Sequence, residues 1–493
     1  MTRGRWLVAG GYFPPMPTPF SLLPLAIAAG GGRVDEFESQ QLVAAGFILL
    51  QRSAPLVRAL SGRRAGILLP TSPQFLVALA ACEGRGAVLV NPLAAPPEIE
   101  HQLADARVGA VFTVAALADR LPDSVTRVLL DDMPRSARVV ADGVTREVDL
   151  GSHVGMTLEG EFGIGGSDEE AAIVYTSAMA GTPLGAVLSH RNLIANARAT
   201  VEASANHAGD HVLALLPFSH LFGLTVAGSA PLMAGARVTT MARFDPFRAV
   251  ELLESAGITE IVGVPAVFRA LLSAVERRGG ALRGALRLAI CGGAALPESL
   301  QERWAGATGV ELRQGYGLTE AGPVCLFNRV DRGNARGTLG VPLTGVEVRI
   351  AERTVEGRPM FLAAGAEGEI VVRGDNVFRG YLSGGEHGLR VQDGWLRTGD
   401  LGVLDADGTV TFRGIAKPMF TRSGFNVYPR EIERVVLELP GVRAARVWPV
   451  PEPTRENDVA LEVEASVGEA TVKRWCEARL AVYKRPSRIT VRA

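Results

Sequence analysis

YTSAMAGTPLGAVLSH, residues 175–190, follows the apolar run Ala171-Ala172-Ile173-Val174, which reads as a buried strand. Thr176, Ser177, Gly181, Thr182, Pro183 and Gly185 then come within ten residues. A loop rich in Gly and hydroxyls after a strand can turn successive backbone N–H groups toward an anion. The nucleotide-hydrolase version of such a loop needs Gly-Lys-Ser/Thr entering a helix. Here Leu184 and Gly185 are predicted to enter a second short strand that ends at His190, so that version is excluded.

Outward from this loop the chain alternates in pattern. Gly66–Pro70 and Ala87–Val90 read as strands around a helix-periodic stretch from Pro73 to Ala81. A second series, Leu213–Leu216, Arg237–Thr240, Ile261–Val264 and Leu288–Cys291, has helices between its strands. Such alternation predicts βαβ units and parallel sheets. From about 338 to 415 short strands with Gly turns predict a small antiparallel β-barrel. After Lys417 the pattern is α+β: Pro429 opens a helix whose face is Ile432, Val435, Val436 and Leu439, and Pro440-Gly441 stop it. The predicted fold is therefore α/β. A large N-terminal domain, residues 1–416, holds two doubly wound layers and the barrel; a short α+β C-terminal domain follows at 417–493. Residues 151–168, rich in Gly and Ser, read as a flexible connection.

Composition sets bounds on partners. The 493 residues carry a formal net charge of -1, which gives no reason to expect nucleic acid or an anionic membrane. Cys82, Cys291, Cys325 and Cys476 are scattered, without metal-ligand spacing or a disulfide framework; they read as core residues in a reducing cytoplasm. Val212–Ala236 contains no charged residue and is long enough to span a bilayer, but Pro217, Gly223, Gly228 and Pro231 make it a poor spanning helix. It reads as a buried segment carrying a functional corner. Five prolines between Pro14 and Pro24 interrupt the apolar N-terminus, so a cleaved leader is not expected.

Two further motifs carry chemistry. In Gln314-Gly315-Tyr316-Gly317-Leu318-Thr319-Glu320, preceded by Gly292-Gly293-Ala294, glycines let backbone approach a flat ligand and a Tyr face can stack on a purine. A hydroxyl next to a carboxylate can hold a phosphate oxygen and its Mg²⁺. In Trp395-Leu396-Arg397-Thr398-Gly399-Asp400, the carboxylate can accept two hydrogen bonds from a vicinal diol. Taken alone, each stretch also reads as an ordinary turn.

Together these stretches resemble the acyl-adenylate-forming (AMP-binding) superfamily, with the fatty-acid and aryl-acid CoA ligases most similar. Tyr175, Thr176, Ser177, Gly181, Pro183, Gly185, Ser189 and His190 match its signature loop, and 316–320 and 395–400 match without departure. Phe378-Arg379-Gly380-Tyr381-Leu382 and Ser423-Gly424-Phe425-Asn426-Val427-Tyr428-Pro429 match further landmarks. The resemblance implies ATP-dependent activation of an apolar carboxylic acid through an acyl-adenylate, then transfer to CoA or an acyl-carrier phosphopantetheine, in the cytoplasm. It implies that Thr176, Ser177, Gly181, Gly185, Gly292, Gly293, Ala294, Gln314, Gly315, Tyr316, Gly317, Thr319 and Asp400 bind nucleotide, and that Glu320 binds Mg²⁺. His220, Phe222, Gly223, Val264, Gly292 and Gly315 would wall the acyl pocket. Gly424 and Phe425 would line the thiol channel, and Lys417 would be the hinge. Thr319, Glu320, His220 and Lys417 form the implied catalytic set.

The chain departs from the pattern at the phosphate end. Leu184 stands where the family has its phosphate-binding Lys, Ala178, Met179 and Ala180 where it has Gly-Thr-Thr, and Ile415 where it has an Arg. A further family stretch bearing a Lys has no counterpart after Tyr483-Lys484-Arg485-Pro486, which reads as a truncated C-terminal domain. Arg191, Arg422, Lys484 or Arg485 could supply charge from new directions, and the gap leaves room for a protein partner that supplies a lysine in trans. Impaired adenylation is the expectation. The alternative is a catalytically degraded homologue that binds nucleotide or acyl ligand in a regulatory or assembly role.

Overall fold

The computed structural model describes residues 5–8, 11–12, 22–82, 86–133, 135–150, 157–159, 168–176, 183–353, 359–383, 388–416 and 419–492. Most of 151–168 lies outside them; Thr157–Glu159 pairs antiparallel with Arg5–Val8.

Each of the two large sheets has a parallel centre. In the first, Thr126–Leu129, Val108–Thr113, Arg64–Ile67, Ala87–Leu89 and Glu170–Thr176 run parallel in that spatial order. Leu184–Ser189 and then Gly380–Tyr381 close one edge antiparallel. In the second, Leu312–Gly317, Leu288–Cys291, Glu260–Gly263, His211–Ala214, Arg237–Thr240 and Arg33–Val34 run parallel, with Val324–Phe327 antiparallel beyond them. Every residue of Val108–Thr113 and of Leu288–Cys291 is buried. Parallel strands covered on both faces read as continuous apolar runs for this reason. Helices Ser39–Arg52, Gln74–Ala81 and His190–Ser204 contribute to one apolar core that takes in strands of both sheets, with Leu49, Phe75, Leu193 and Val212 within it.

The start of helix His190–Ser204 explains Ser189 physically. Its Oγ accepts from the Asn192 N–H at 3.2 Å, and Asn192 Oδ1 accepts from the Ser189 N–H at 2.7 Å, a reciprocal cap. Asn192 Nδ2 also donates to the carbonyls of Asp375 and Val377. His190 is buried, and burial lowers its pKa to about 4. These motif residues thus anchor a helix.

The predicted barrel is present as a five-stranded antiparallel sheet in which Trp395–Leu404 pairs with Glu367–Gly374 and Val410–Ile415. The C-terminal unit has its own sheet, with Val442–Glu452 antiparallel to Glu456–Ala465 and Arg488–Arg492 parallel to the latter. Helices Pro429–Leu437 and Glu469–Arg479 bury Ile432, Val436, Val472 and Cys476 in a separate core. All four cysteines are buried, and none is in a disulfide among the described residues. Val212–Ala236 becomes a strand followed by a buried helical turn sequence, and no helix among the described residues is long and apolar enough to cross a membrane.

Candidate active site

Ligand crevices in open α/β sheets form beyond the carboxyl ends of the strands. Here Leu288–Cys291 delivers Gly292, Gly293 and Ala294 to such a crevice, and Leu312–Gly317 delivers Thr319 and Glu320. Thr176 arrives from the end of Glu170–Thr176, and Asp400 from the antiparallel sheet. The C-terminal unit contributes Gly424, Phe425 and Asn426. The cavity measures about 450 Å³.

At one end the polar groups hold one another. Tyr316 Oη donates to Asp400 Oδ2 at 2.7 Å, while Asp400 N–H donates to Thr398 Oγ1 at 3.1 Å. Burial, and then the Asp400 charge, push the Tyr316 phenol well above its ordinary pKa, so it remains a donor. Nearby, the buried Glu320 accepts at Oε1 from Tyr381 Oη at 2.7 Å and from Thr176 Oγ1 at 3.3 Å. Tyr381 Oη in turn accepts from the Leu389 N–H. A Cβ on Gly292 would lie 3.0 Å from the Phe222 ring and 3.2 Å from the Gly315 carbonyl oxygen. Gly293 has φ +76, a left-handed conformation that favours glycine. The two glycines keep this wall flat and side-chain-free.

His220 opens onto the cavity, and desolvation there lowers its pKa. Its Nδ1 accepts from the Phe222 N–H at 3.2 Å, so the neutral ring carries its proton on Nε2. Phe222, Val226, Pro323, Val324, Phe327, Leu339 and Leu343 give the lining its apolar portion.

The lining is poor in positive charge. Leu184, the sheet partner of Thr176, and Ile415, the sheet partner of Asp400, line it together with Met419. Among the described lining residues Lys484 is the sole Lys or Arg, and its Nζ contacts Glu98 Oε1 at 2.7 Å and Glu431 Oε1 at 2.6 Å. The other cations considered from sequence are engaged elsewhere. Arg191 pairs with Asp168, and Arg422 pairs with Asp458 and donates to the carbonyls of Tyr483 and Arg485. Arg485 Nε donates to the Leu480 carbonyl.

Of the residues singled out from sequence, Thr176, His220, Phe222, Gly292, Gly293, Ala294, Gln314, Gly315, Tyr316, Gly317, Thr319, Glu320, Asp400, Gly424 and Phe425 share this one cavity. Gly185, Gly223 and Val264 are not among its lining residues. Gly185 sits in the sheet opposite Tyr175. A Cβ on Gly223 would meet the Pro217 carbonyl oxygen at 2.3 Å, so that glycine serves a chain reversal. Val264 packs where a Cβ on Gly424 would fall, 2.6 Å away. Gly317 lines the cavity, yet it must be glycine because the Pro323 carbonyl oxygen would lie 1.8 Å from a Cβ. Ser177, Gly181 and Lys417, with the departures at Ala178, Met179 and Ala180, lie outside the described residues. Sequence reasoning gave no role to Tyr381, although its motif was visible, and none to Glu98, which carries no local signal.

A nucleotide-sized cavity at the strand ends, with a tyrosine–aspartate pair and a hydroxyl-held glutamate, defines an adenylate-forming enzyme. The chain belongs to the AMP-binding enzyme family, whose model matches residues 57–382. A feruloyl-CoA synthase of Amycolatopsis sp is 31% identical over 437 residues, 87% of this chain and 84% of the relative. A long-chain-fatty-acid–CoA ligase of Bacillus subtilis (strain 168) is 28% identical over 460 residues, 86% of this chain and 81% of the relative. Among solved structures, a malonyl-CoA ligase with methylmalonyl-CoA and AMP bound is 29% identical, covers 95% of this chain and 96% of its own, and superposes with TM-score 0.76. ATP-bound MatB from Rhodopseudomonas palustris is 27% identical and covers 96% and 95%, with TM-score 0.67.

Proposed function

We propose that the protein uses ATP to join an apolar carboxylic acid, fatty or aryl, to CoA or a carrier phosphopantetheine thiol, and that adenylation is its weak step. One observation carries the reading: Tyr316–Asp400, Thr319–Glu320 and Gly424–Phe425 converge on a single cavity that also has apolar wall at Phe222, Val226 and Phe327. In the first half-reaction a carboxylate oxygen bonds to the α-phosphorus, the bond to the β-phosphate bridge breaks, and pyrophosphate leaves. In the second, the thiol sulfur bonds to the acyl carbon, the acyl–phosphate C–O bond breaks, and AMP leaves with the thiol proton passing to solvent.

Asp400 suits the ribose hydroxyls, Tyr316 an adenine face, and Thr319 an α-phosphate oxygen. Among the described residues no group of three or more His, Cys, Asp or Glu could hold a metal alone. Mg²⁺ fits instead as an ion held by Glu320 together with phosphate oxygens, a common arrangement for this ion; when bound it neutralises charge on the phosphates. The hydroxyls of Tyr381 and Thr176 fix the Glu320 carboxylate for that task. Phe222 and the neutral His220 would face the acyl group. Lys417 is proposed as the hinge.

Aliphatic Leu184 and Ile415, with Lys484 committed to two carboxylates, support weak stabilisation of developing phosphate charge. Removing one preorganised donor costs ~10²–10³ in rate. The deciding experiment measures pyrophosphate release with ATP, Mg²⁺ and acids from acetate to palmitate and benzoate, beside thioester formation from a synthetic acyl-adenylate and CoA. The reading expects slow pyrophosphate release and much faster use of the adenylate. Equal rates by both routes would refute the weak step. Consumption of the adenylate no faster than in buffer would refute the ligase.

A further inference from the structure

Glu98 belongs to the N-terminal body, on helix Pro96–Asp105, whereas Lys484 and Glu431 both belong to the C-terminal unit. The three side chains meet in a buried cluster: Lys484 is 5% exposed, Glu98 12% and Glu431 4%. Lys484–Glu431 is internal to the C-terminal unit and travels with it. Lys484–Glu98 exists only while that unit rests against helix Pro96–Asp105. A second cross-unit contact lies at the other side of the same loop: Arg269 pairs with Glu456 at 2.9 Å, and Glu456 Oε2 accepts the Gly424 N–H at 3.1 Å. Between them Phe425 stacks on Tyr483, the residue before Lys484, with centroids 4.4 Å apart. The Gly424–Asn426 loop is thus pinned to the cavity from both sides.

In this arrangement Gly424, Phe425 and Tyr483 of the C-terminal unit line the cavity, where, on the function proposed above, the thiol would approach the acyl group. Removing the C-terminal unit would leave the Glu98 carboxylate without its ammonium partner, and a charge-assisted bond in a dry site is strong.

Resting on the function proposed above, we infer that Glu98, acting through Lys484, is a positioning residue that holds the C-terminal unit in the thiol-transfer orientation. Glu98→Gln tests this while leaving Lys484–Glu431 intact; the amide oxygen of Gln can keep the cap that Glu98 Oε2 now gives the Ala95 N–H. Thioester formation from synthetic acyl-adenylate and CoA should fall about tenfold or more, as expected for a lost charge-assisted bond, while pyrophosphate–ATP exchange falls less than about threefold. Amide hydrogen exchange at 424–428 should quicken in the same variant, a readout independent of activity. Lys484→Met should give the same split more strongly; if it fails to fold, Glu98→Gln alone decides. Equal losses in both half-reactions, or unchanged exchange at 424–428, would overturn the positioning role. A wild-type chain inactive in both half-reactions would refute the ligase reading instead, and the exchange measurement would still judge the contact.

Discussion

Two sets of residues in the cavity are built differently. One set is partnered before any ligand arrives: Tyr316 on Asp400, and Tyr381 and Thr176 on Glu320. In the other, Leu184 and Ile415, the direct sheet neighbours of Thr176 and Asp400, carry no charge, and Lys484, the sole Lys or Arg among the described lining residues, is held by Glu98 and Glu431. Preorganised donors and acceptors act without reorganisation when a ligand binds, whereas an aliphatic wall contributes contact but no charge stabilisation. On the proposed function, this difference separates binding a nucleoside monophosphate from expelling pyrophosphate within one cavity.

Removing Asp400 should break the partnered set. Asp400→Ala deletes a charged acceptor and leaves the buried Tyr316 hydroxyl without its partner. Losing one charged hydrogen bond costs about 1.5–3 kcal/mol, so AMP affinity measured by calorimetry should fall by about tenfold to a hundredfold or more. Wild-type affinity for ATP should exceed that for AMP only slightly, because nothing cationic is free to meet the outer phosphates among the described lining residues. ATP bound far more tightly than AMP would erase the contrast between the two sets.

Introducing charge into the uncharged set is the converse change. Leu184→Lys should raise pyrophosphate release by about tenfold, below the ~10²–10³ measured when such a donor is removed from an optimised site. Leu184 begins the strand Leu184–Ser189 and is only partly buried, so a lysine stem can lie along the wall and keep its head in the cavity. A well-folded variant with unchanged ATP affinity and rate would show that the loop has been rebuilt for other contacts.

Much of this contrast is legible in the amino-acid sequence. Parallel strands announce themselves because both faces are buried, which makes Leu288–Cys291 and Val108–Thr113 continuous apolar runs. The motif residues from Gln314 to Glu320 and Asp400 stand out because their chemistry is local. What stays hidden depends on tertiary approach. Gly317 and Gly223 look like ligand-facing glycines, but carbonyls of Pro323 and Pro217 exclude a side chain there. Lys484 and Glu98 stand 386 residues apart, and no local pattern reports a pair formed by docking one unit on another. Ser189 looks like part of a binding signature, and its hydroxyl starts a helix.

Ile415→Arg sharpens the comparison less than Leu184→Lys does. Ile415 is 38% exposed, so an arginine there keeps much of its hydration and its charge is partly screened. A rise of about threefold in pyrophosphate release is expected, and the double variant should fall short of the product of the two single effects, since both cations would address the same charge. A product of the two effects, or a gain from Ile415→Arg exceeding that from Leu184→Lys, would place the phosphates elsewhere in the cavity.

A comparably small effect, read in affinity and not in rate, belongs to Tyr316→Phe. The ring that would face adenine remains, and only the hydroxyl that donates to Asp400 at 2.7 Å is lost. Asp400 keeps its carboxylate and its Thr398 contact, so AMP affinity should fall by about three- to tenfold, within the ~0.5–3 kcal/mol of a single hydrogen bond. The pH dependence supplies the second half of the test. Burial and the Asp400 charge raise the Tyr316 pKa well above its ordinary value, so the folded protein keeps the phenol protonated where a free tyrosine would ionise. The wild-type contact, and the stability it contributes, are therefore complete below the ordinary tyrosine pKa and diminish only as pH rises toward the elevated one. AMP affinity should stay flat from neutral pH to the ordinary tyrosine pKa, in the wild type and in Tyr316→Phe alike, with a constant ratio between them. A wild-type affinity that falls through the ordinary tyrosine range, while that of Tyr316→Phe does not, would mean that the phenol ionises freely and that the Tyr316–Asp400 pair is not preorganised.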